Sequence, residues 1–388
     1  MSRHIASSFL TLLVVIFFLL GGVILWGQSQ YTTAGPLAEP MCLQVPRGSS
    51  MRGVSRDLEE QGAITNAALF RVGADYADKA QELKAGSWLI PEGSSMSEIT
   101  DLVTRGGAST CGTEIVYRIG VNSAEIEIRE LDPETERFVE RAEFDPFAED
   151  AAPEVFNQMR ARADTRYRVA LAEGVTSWQV ANVLEKVDAL EGEIETIPPE
   201  GSLAPDSYEF VVGDSRSDIL NRMQTTQAAL LAAAWEARNP GIPLESPEEA
   251  LILASIIEKE TGVASERPQV ASVFANRLER GMRLQTDPTV IYGITNGQGV
   301  LGRGIRQSEL RRATPYNTYV IDGLPPTPIA NPGRESLLAA VQPPATDLLF
   351  FVARTLNPRD GHNFAETLEE HNRNVAAYRA LERAEGEQ

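Results

Sequence analysis

The N-terminal residues form the most uniform hydrophobic stretch of the chain. Residues 5–26, IASSFLTLLVVIFFLLGGVILW, are 22 positions without a charge, which is long enough to cross a bilayer as one helix. Arg3 precedes this stretch and the next basic residue is Arg47, so the positive-inside rule predicts a cytoplasmic N-terminus and an exported remainder. A cleaved signal peptide is the alternative, but its apolar region spans only about 7 to 15 residues. The pattern therefore favours an uncleaved anchor over residues 1–27.

A polar linker and a repeated strand-turn-helix pattern follow the anchor. Residues 28–40 lack hydrophobic periodicity and contain glycine and proline, which indicates a linker. Three later segments each combine an apolar strand-like start, a glycine at the fourth position, a Ser or Thr at the helix N-cap, and apolar residues four apart. These segments are VPRGSSMRGVSRDLEEQG from Val45, IPEGSSMSEITDLVTRGG from Ile90 and LAEGVTSWQVANVLEKVD from Leu171, with the N-caps Ser50, Ser95 and Thr176.

The repeated segments resemble LysM-like modules, which are small folds that bind the glycan of cell walls. A generic strand-turn-helix without a ligand is the alternative. We expect a LysM-like module over residues 41–111 and a second LysM-like piece at about residues 169–200. Between them, residues 112–168 alternate apolar and charged positions around Asp132, which predicts a β-containing connector with a hairpin.

One helix in the C-terminal half is apolar on more than one face. Ser246 is its predicted N-cap, and Gly262 can end it in the left-handed conformation. Apolar side chains in LILASIIEKETG, residues 251–262, lie on both faces, and such a helix is normally buried. Glu258 and Glu260 nevertheless lie in its last turn.

These two glutamates need a physical explanation, because an ionised carboxylate is costly to bury without a partner. Arg267 and Arg277 lie nearby in the chain, so a structural ion pair is one interpretation. The other interpretation is catalytic. A carboxyl group in an apolar cleft has a raised pKa and can donate a proton near neutral pH, which the cleavage of a sugar chain requires.

The chain after this helix offers side chains that suit sugar hydroxyls. The loop over residues 281–287 follows a second predicted helix and presents amide, hydroxyl and carboxylate groups beside the glutamates. A later Pro-rich stretch, TPYNTYVIDGLPPTPIANPG, adds polar and aromatic groups of the kind that line a saccharide groove. The candidate residues are Gln285, Thr286, Asp287, Tyr316, Asn317 and Tyr319.

The composition narrows the classes of partner. Of 388 residues, 35 are basic and 55 are acidic, so the formal charge of −20 repels nucleic-acid phosphates and no nucleic-acid partner is expected. The 3 histidines do not favour a zinc site and no nucleophile elbow occurs, so neither a metal nor a cofactor is expected. Cys42 and Cys111 lie on the exported side, where a disulfide can form; two buried free thiols are the alternative.

Three stretches within residues 253–378 closely resemble the YceG-like family, the endolytic murein transglycosylases. They are LASIIEKETGVASERPQVASVFANRLERGMRLQTDPTVIYG, ATPYNTYVIDGLPPTPIANPG and LFFVARTLNPRDGHNFAETLEEHNRNV. The anchor and the LysM-like modules are also similar, whereas we recognise no resemblance to the family in residues 112–168. One departure is EGSLAPDSY, in which Ser202 and Ala204 stand where relatives tend to have aromatic residues. This departure weakens the case for sugar stacking by that loop.

The resemblance implies roles for individual positions. The catalytic glutamate of the family is the first of EKET, here Glu258, and Glu260 is a neighbouring carboxylate that we group with the substrate-binding residues. The other substrate-binding candidates are Gln285, Thr286, Asp287, Asn317 and Tyr319.

The implied activity is cleavage of the MurNAc-β-1,4-GlcNAc bond within nascent glycan strands, which leaves 1,6-anhydroMurNAc ends and terminates strand elongation. Glu258 would protonate the glycosidic oxygen and then take the proton of the muramyl C6 hydroxyl. A lysozyme-like hydrolase that uses Asp287 or Glu260 as the second carboxylate is one alternative. A non-catalytic wall-binding scaffold is the other.

The whole pattern predicts an α+β protein with a single N-terminal transmembrane helix, LysM-like modules and a mixed α/β C-terminal catalytic domain over residues 169–388. We expect it in the bacterial cytoplasmic (inner) membrane, with the N-terminus inside and the catalytic domain outside. The expected partners are peptidoglycan glycan strands, the membrane and penicillin-binding synthases.

Overall fold

The computed structural model describes residues 2–46, 48–106, 110–148, 152–162 and 165–386. The α-helices are α1 (Ser2–Thr32), α2 (Met51–Glu60), α3 (Ala67–Tyr76), α4 (Met96–Arg105), α5 (Glu154–Arg160), α6 (Ser177–Lys186), α7 (Arg216–Glu236), α8 (Pro247–Glu260), α9 (Arg267–Glu279), α10 (Asp287–Thr295), α11 (Gln307–Leu310), α12 (Arg334–Val341) and α13 (Leu368–Gly386). The β-strands are β1 (Met41–Val45), β2 (Gly86–Ile90), β3 (Thr113–Ile119), β4 (Ala124–Asp132), β5 (Arg137–Phe144), β6 (Arg166–Leu171), β7 (Ser207–Phe210), β8 (Phe350–Ala353) and β9 (His362–Ala365).

The chain divides into two compact units, and both contain helices and strands, so the α+β prediction is confirmed. Neither unit is continuous in sequence. Unit 1 comprises Met1–Ile115, Glu127–Glu143 and Ala151–Arg166, and unit 2 comprises Val116–Ile126, Phe144–Asp150 and Tyr167–Gln388.

Helix α1 carries the apolar N-terminal stretch. Residues Leu12–Thr32 have a mean hydropathy of 2.2 and are not buried in the fold, so by length and composition the helix fits a transmembrane anchor. The helix continues past residue 27, and the Tyr31 hydroxyl in its last turn donates to Thr100 of α4 at 2.8 Å. Gly73 of α3 lies against the Tyr31 ring, where a larger residue would overlap it. The first residues of the predicted linker are therefore helical and pack within unit 1.

Unit 1 contains a small module in the order β1-α2-α3-β2-α4, in which β1 and β2 pair antiparallel. The predicted N-caps are confirmed, because Ser50 and Ser95 accept hydrogen bonds from the first turns of α2 and α4. The LysM-like interpretation of this module stays a prediction. Its apolar core includes Leu43, Leu58, Phe70, Trp88, Ile90 and Ile99.

A disulfide joins Cys42 of β1 to Cys111 within unit 1, and their Cα atoms are 5.8 Å apart. The two cysteines are 69 residues apart in the chain, and closing a loop of that length stabilises the fold by about 4 kcal/mol in the chain-entropy description. Titration of the unfolded, unreduced protein should therefore find no free thiol. Two free thiols would contradict the bridge.

A five-stranded sheet has the order β5-β4-β3-β6-β7. Strand β4 ends at Asp132, where the alternating pattern predicts a hairpin. In unit 1, the buried Glu114 carboxylate forms ion pairs with Arg129 at 2.5 Å and Arg166 at 3.7 Å. These contacts give that carboxylate a structural role.

Helix α8 is the central helix of unit 2 and packs against α7, α9, α10 and α12. All of residues 252–257 are buried, which confirms the predicted burial of both faces. The helix ends at Glu260, because Thr261 follows in an extended conformation with φ −140°. The predicted left-handed end at Gly262 is therefore wrong. The buried Thr261 hydroxyl instead accepts a hydrogen bond from the Val263 N–H at 3.0 Å, a local side-chain-to-backbone bond that competes with continuation of the helix.

The other elements of unit 2 surround this helix. The predicted second LysM-like piece corresponds to β6 and α6, and Thr176 caps α6 in a capping box with Gln179. Strand β6 pairs antiparallel with β7. The β8-β9 hairpin packs against α13, and β8 also contacts α9. The contact of α8 with α10 and the hydrogen bonds of Thr286 with Glu260 and Thr318 bring the end of α8, the start of α10 and the Pro-rich loop before α12 into one region.

Candidate active site

The last three side chains of α8 contact three different parts of unit 2, because successive residues of a helix are rotated by about 100°. Glu258 contacts Arg267 and Gly333, and Glu260 contacts Thr286. Between them, the Lys259 ammonium donates to the Gly174 carbonyl at 3.1 Å. The two glutamates are therefore parts of separate clusters.

The Glu258 carboxylate is part of an ion pair. Its side chain is only 4% exposed, and its Oε1 lies 3.2 Å from a guanidinium nitrogen of Arg267. Its Oε2 accepts a hydrogen bond from the Gly333 N–H at 2.9 Å. Both contacts are of the kind that an anionic carboxylate makes. The structure thus contains the ion pair that the sequence offered as one interpretation, and the catalytic role of Glu258 stays a prediction.

A second carboxylate completes this cluster. Arg267 also donates to Glu173 at 2.9 Å, so one guanidinium bridges two acidic side chains. Burial raises the pKa of Glu173, and the charge of Glu258 raises it further. Gly333 packs so closely on Glu173 that any Cβ at this position would overlap the carboxyl group. Sequence reasoning missed Glu173 and Gly333, because both are far from Glu258 in the chain and neither belongs to a charged motif.

The Glu260 carboxyl has the opposite kind of environment. It is partly buried, and the Thr286 hydroxyl donates a hydrogen bond to it. Burial raises the pKa of Glu260 to about 7, the Thr286 hydrogen bond lowers it, the Asp287 charge raises it, and the Arg277 charge lowers it. A carboxyl group with such a pKa can donate a proton and take one back near neutral pH.

Two loops meet beside Glu260. The Gln285 N–H donates to the Thr318 carbonyl at 3.1 Å, and the Thr286 N–H donates to the Thr318 hydroxyl at 3.0 Å. The Tyr319 hydroxyl donates to the exposed Asp287 carboxylate at 2.6 Å. Burial raises the pKa of Tyr319, so the phenol keeps its proton. Of the predicted site residues, Glu260, Thr286, Asp287 and Tyr319 thus lie in one cluster.

The other predicted site residues lie around this cluster. Gln285 is exposed and adopts a left-handed conformation with φ +52°, and it precedes Thr286. Asn317 is buried, and its amide donates to three backbone carbonyls while its Oδ1 accepts from the Tyr319 N–H at 3.0 Å. The Asn317 side chain therefore shapes the loop that carries Tyr319 and faces away from solvent.

The EGSLAPDSY loop contributes a further carboxyl group to unit 2, that of Glu200. Glu200 accepts from the Ser177 N–H at 2.8 Å and from the Tyr292 hydroxyl at 3.2 Å, and burial raises the pKa of Glu200. Ala204, one of the two departures from the family pattern, is fully buried. A side chain at this position therefore packs in the core, and the loop contributes no ring there to a sugar-binding surface.

His362 and His371 of unit 2 both contact other side chains. His362 Nδ1 lies 2.9 Å from the Glu266 carboxylate, and the His371 ring stacks on Phe350 with ring centroids 5.1 Å apart. In the described part of the chain, no group of three or more His, Cys, Asp or Glu side chains could hold a metal ion.

The fold and the site together define an α+β protein in which one buried helix ends in two carboxyl groups that lie in separate clusters, Glu258 in an ion pair with Arg267 and Glu260 beside polar loops. The model of the YceG-like family matches residues 125–377, so the chain belongs to the YceG-like family. This finding confirms the resemblance that the motifs indicated. The match also includes residues 125–168, so the expectation that residues 112–168 lie outside the family pattern is wrong for that part.

Individual relatives match a shorter stretch. An endolytic murein transglycosylase of Bacillus subtilis (strain 168) is 42% identical over 103 residues, which are 26% of this chain and 26% of that protein. The enzyme of that name from Streptococcus pneumoniae serotype 2 is 32% identical over 107 residues, 26% of this chain and 18% of that protein. The chain thus covers about a quarter or less of these curated relatives. The crystal structure of a YceG-like protein from Listeria monocytogenes aligns with a TM-score of 0.46 and 26% identity, over 86% of this chain and 98% of that chain.

Proposed function

We propose that this protein is a membrane-anchored endolytic lytic transglycosylase of peptidoglycan. The observation that carries the proposal is the Glu260 carboxyl, which accepts a hydrogen bond from Thr286 and whose pKa burial and the Asp287 charge help raise to about 7, as suits general acid and base catalysis. Membership of the YceG-like family and the names of the matched relatives support murein as the substrate.

The reaction uses one carboxyl group twice. Protonated Glu260 donates its proton to the glycosidic oxygen between MurNAc and GlcNAc while the bond from that oxygen to C1 of MurNAc breaks. The GlcNAc residue leaves with a free hydroxyl group. The Glu260 carboxylate then takes the proton of the muramyl C6 hydroxyl, whose oxygen bonds to C1 and closes the 1,6-anhydro ring. No water and no covalent enzyme intermediate are needed, because the nucleophile is held within the substrate.

The residues around Glu260 have distinct tasks in this scheme. The Thr286 hydroxyl orients the acid, and the Asp287 carboxylate stabilises the positive charge that develops at C1. The Tyr319 hydroxyl, 2.6 Å from Asp287, fixes the orientation of that carboxylate. The exposed amide of Gln285 is available to a sugar hydroxyl.

The motif comparison favours Glu258 as the acid, whereas the geometry supports Glu260 better. In this structure both carboxylate oxygens of Glu258 are engaged, one in the ion pair with Arg267 and one in the hydrogen bond from the Gly333 N–H. In our proposal, Glu258 anchors the end of α8, and Glu260 carries the proton. If Glu258 is the acid instead, the substrate must first displace Arg267.

Mass spectrometry of digested glycan strands tests the activity and the assignment together. The full-length protein in detergent is compared with Glu260→Gln, Glu258→Gln and the exposed matched control Glu248→Gln on the same helix. We expect 1,6-anhydromuramyl ends from the wild type and from Glu248→Gln, and none from Glu260→Gln. Intact cleavage by Glu260→Gln with loss in folded Glu258→Gln would return the acid role to Glu258.

The products also separate the alternative activities. Reducing ends in place of anhydro ends would establish a hydrolase in which Glu260 and Asp287 act as the carboxylate pair. No cleavage by the wild type, together with retention of strands on the protein, would favour the wall-binding scaffold.

The proposal also includes the membrane in which the protein is anchored and the side on which the enzyme works. An anchor in the bacterial cytoplasmic membrane, with the N-terminus inside, would confine the enzyme to glycan near the membrane, where new strands emerge beside penicillin-binding synthases. The LysM-like module would hold such a strand; its β1-α2-α3-β2 order is compatible with this task. Protease digestion of intact spheroplasts should remove the C-terminal domain, and full protection would contradict the topology.

A further inference from the structure

Arg277 is a buried cation that the reaction scheme does not use. It lies in the last turn of α9 and is only 8% exposed. Its Nε donates to the Leu349 carbonyl at 2.7 Å, and its Nη1 donates to the Leu284 carbonyl at 2.7 Å. A longer hydrogen bond of 3.2 Å reaches the Arg283 carbonyl. One guanidinium therefore joins α9, the residue before β8, and the loop that leads to Thr286.

The charge of Arg277 is coupled to the proposed acid. Burial lowers the pKa of Arg277, and electrostatic interactions with Tyr319 and Glu260 oppose that effect. In the other direction, the Arg277 charge lowers the pKa of Glu260, which burial raises. Carbonyl oxygens alone do not require a charged donor, whereas a carboxyl group that must return to its anion benefits from a nearby fixed cation.

We propose that Arg277 is a positioning residue of the transglycosylase reaction. Its guanidinium holds the loop that places Thr286 on Glu260, and its charge helps Glu260 return to the carboxylate that removes the C6 hydroxyl proton. The inference rests on the proposed function with Glu260 as the acid. Without this cation, burial and the Asp287 charge would favour the protonated form of the acid throughout the cycle.

The groups that face the Glu260 carboxyl come from several elements. Among the described residues, the cation whose charge acts on this carboxyl is that of Arg277. On α8 itself, Glu258 is held by Arg267, and the Lys259 ammonium is held by the Gly174 carbonyl. The groups from other elements are Thr286 and Asp287 at the start of α10, Tyr319 in the Pro-rich loop and Arg277 in α9.

The test is the pH dependence of strand cleavage by the full-length protein in detergent. The wild-type rate should fall as pH rises through the pKa of Glu260, about 7, because the acid must be protonated. In Arg277→Gln this fall should move to higher pH by about 0.5 to 1 unit, and the maximal rate should drop by about 10-fold or more. Arg277→Lys keeps the positive charge but loses the planar set of N–H donors. In this variant the fall in rate should stay near the wild-type pH while the maximal rate drops by about 10-fold.

Arg280 provides the matched control. It lies just after α9 and forms an exposed ion pair with Asp347 at 3.6 Å, so Arg280→Gln should change neither the rate nor the pH profile. A folded Arg277→Gln with the wild-type profile would overturn the charge role, and a wild-type rate for Arg277→Lys would overturn the role in holding the loop. If Arg277→Gln does not fold, Arg277→Lys decides: a lower rate with an unmoved profile supports the proposal, and a wild-type rate rejects it.

Failure of the proposed function would look different. A wild type that produces no anhydro ends, or a Glu260→Gln variant with full activity, would overturn the function itself, whatever the Arg277 variants do. An active wild type and an inactive Glu260→Gln, combined with unchanged Arg277 variants, would overturn only the inference about Arg277.

Discussion

Two clusters at the end of α8 contain the same kind of side chain in opposite surroundings. Glu258 has a guanidinium and a backbone N–H as partners, whereas Glu260 has a hydroxyl group and lies near another carboxylate. The first environment suits an ion pair, and the second suits a group that gains and loses a proton. The difference teaches that a motif such as EKET identifies the helix end, while the neighbours of each glutamate decide its chemistry.

The largest expected effect is on catalysis. Glu260→Gln should lower the rate of strand cleavage by about 1,000-fold, because a proton donor and acceptor is lost in both steps. Glu258→Gln should lower it by about 10-fold or less in the fraction that remains folded. Rates are measured from the release of anhydro ends under single-turnover conditions, with Glu248→Gln as the control on the same helix. The reverse ranking of the two variants would break the comparison.

The second effect is on stability at the other cluster. Glu258→Gln should lower the free energy of unfolding by about 2 to 4 kcal/mol, because Arg267, only 12% exposed, loses its most buried partner. Denaturant unfolding measures this change. Arg267→Met should recover part of the loss in the double variant, since it removes the uncompensated cation. Glu369→Gln, in an exposed pair with Arg373, is the control and should change stability by about 0.5 kcal/mol or less.

Glu260→Gln should have the opposite effect on stability at alkaline pH. The pKa of Glu260 is raised from 4.5 to about 7, so the folded state holds a proton that the unfolded state has already lost. Stability from this group therefore falls as pH rises from about 4.5 through about 7, and the cost persists above that. At about pH 8 the variant should be more stable than the wild type by about 1 to 3 kcal/mol, and near pH 4 by little. A destabilised variant at alkaline pH would refute the raised pKa.

The smallest effect concerns the Thr286 hydroxyl group, which donates a hydrogen bond to Glu260. The Thr286 hydrogen bond lowers the pKa of Glu260, so Thr286→Val should move the fall in activity to higher pH by less than about 1 unit. Thr286→Ser keeps the hydroxyl and serves as the control. The pH profile of cleavage measures the shift. An unmoved profile in Thr286→Val would show that the hydrogen bond does not tune the acid.

Several elements of the fold were predictable from local signals. The buried helix α8, the N-caps Ser50, Ser95 and Thr176 and the apolar stretch of α1 depend on spacing along the chain, which the sequence displays directly. The end of α8 was not predictable, because a glycine signal competed with the buried hydroxyl of Thr261, and burial depends on packing.

The sequence predicted which residues lie in the candidate site better than it predicted what each side chain does there. Thr286, Asp287 and Tyr319 do lie together with Glu260, as polar loop residues near a buried glutamate suggested. Asn317 is of the same polar type, yet its amide is bonded entirely to backbone groups. Side-chain type indicates what a residue can bind, and only the fold shows which of its hydrogen-bonding groups are already occupied.

The sequence by itself determined the apolar N-terminal helix, the buried helix with its two terminal carboxyl groups, and the family to which the chain belongs, because these depend on residue order over short distances. The tertiary structure alone decided which charged groups lie beside each glutamate. Arg267 and Arg277 were both visible in the sequence as possible partners of either glutamate. In the folded chain, Arg267 forms an ion pair with Glu258. Arg277 instead donates hydrogen bonds to backbone carbonyl groups near Glu260. Electrostatic interactions weaken with distance and depend on burial. The distances between charged groups and the burial of those groups are set only when distant segments of the chain pack together.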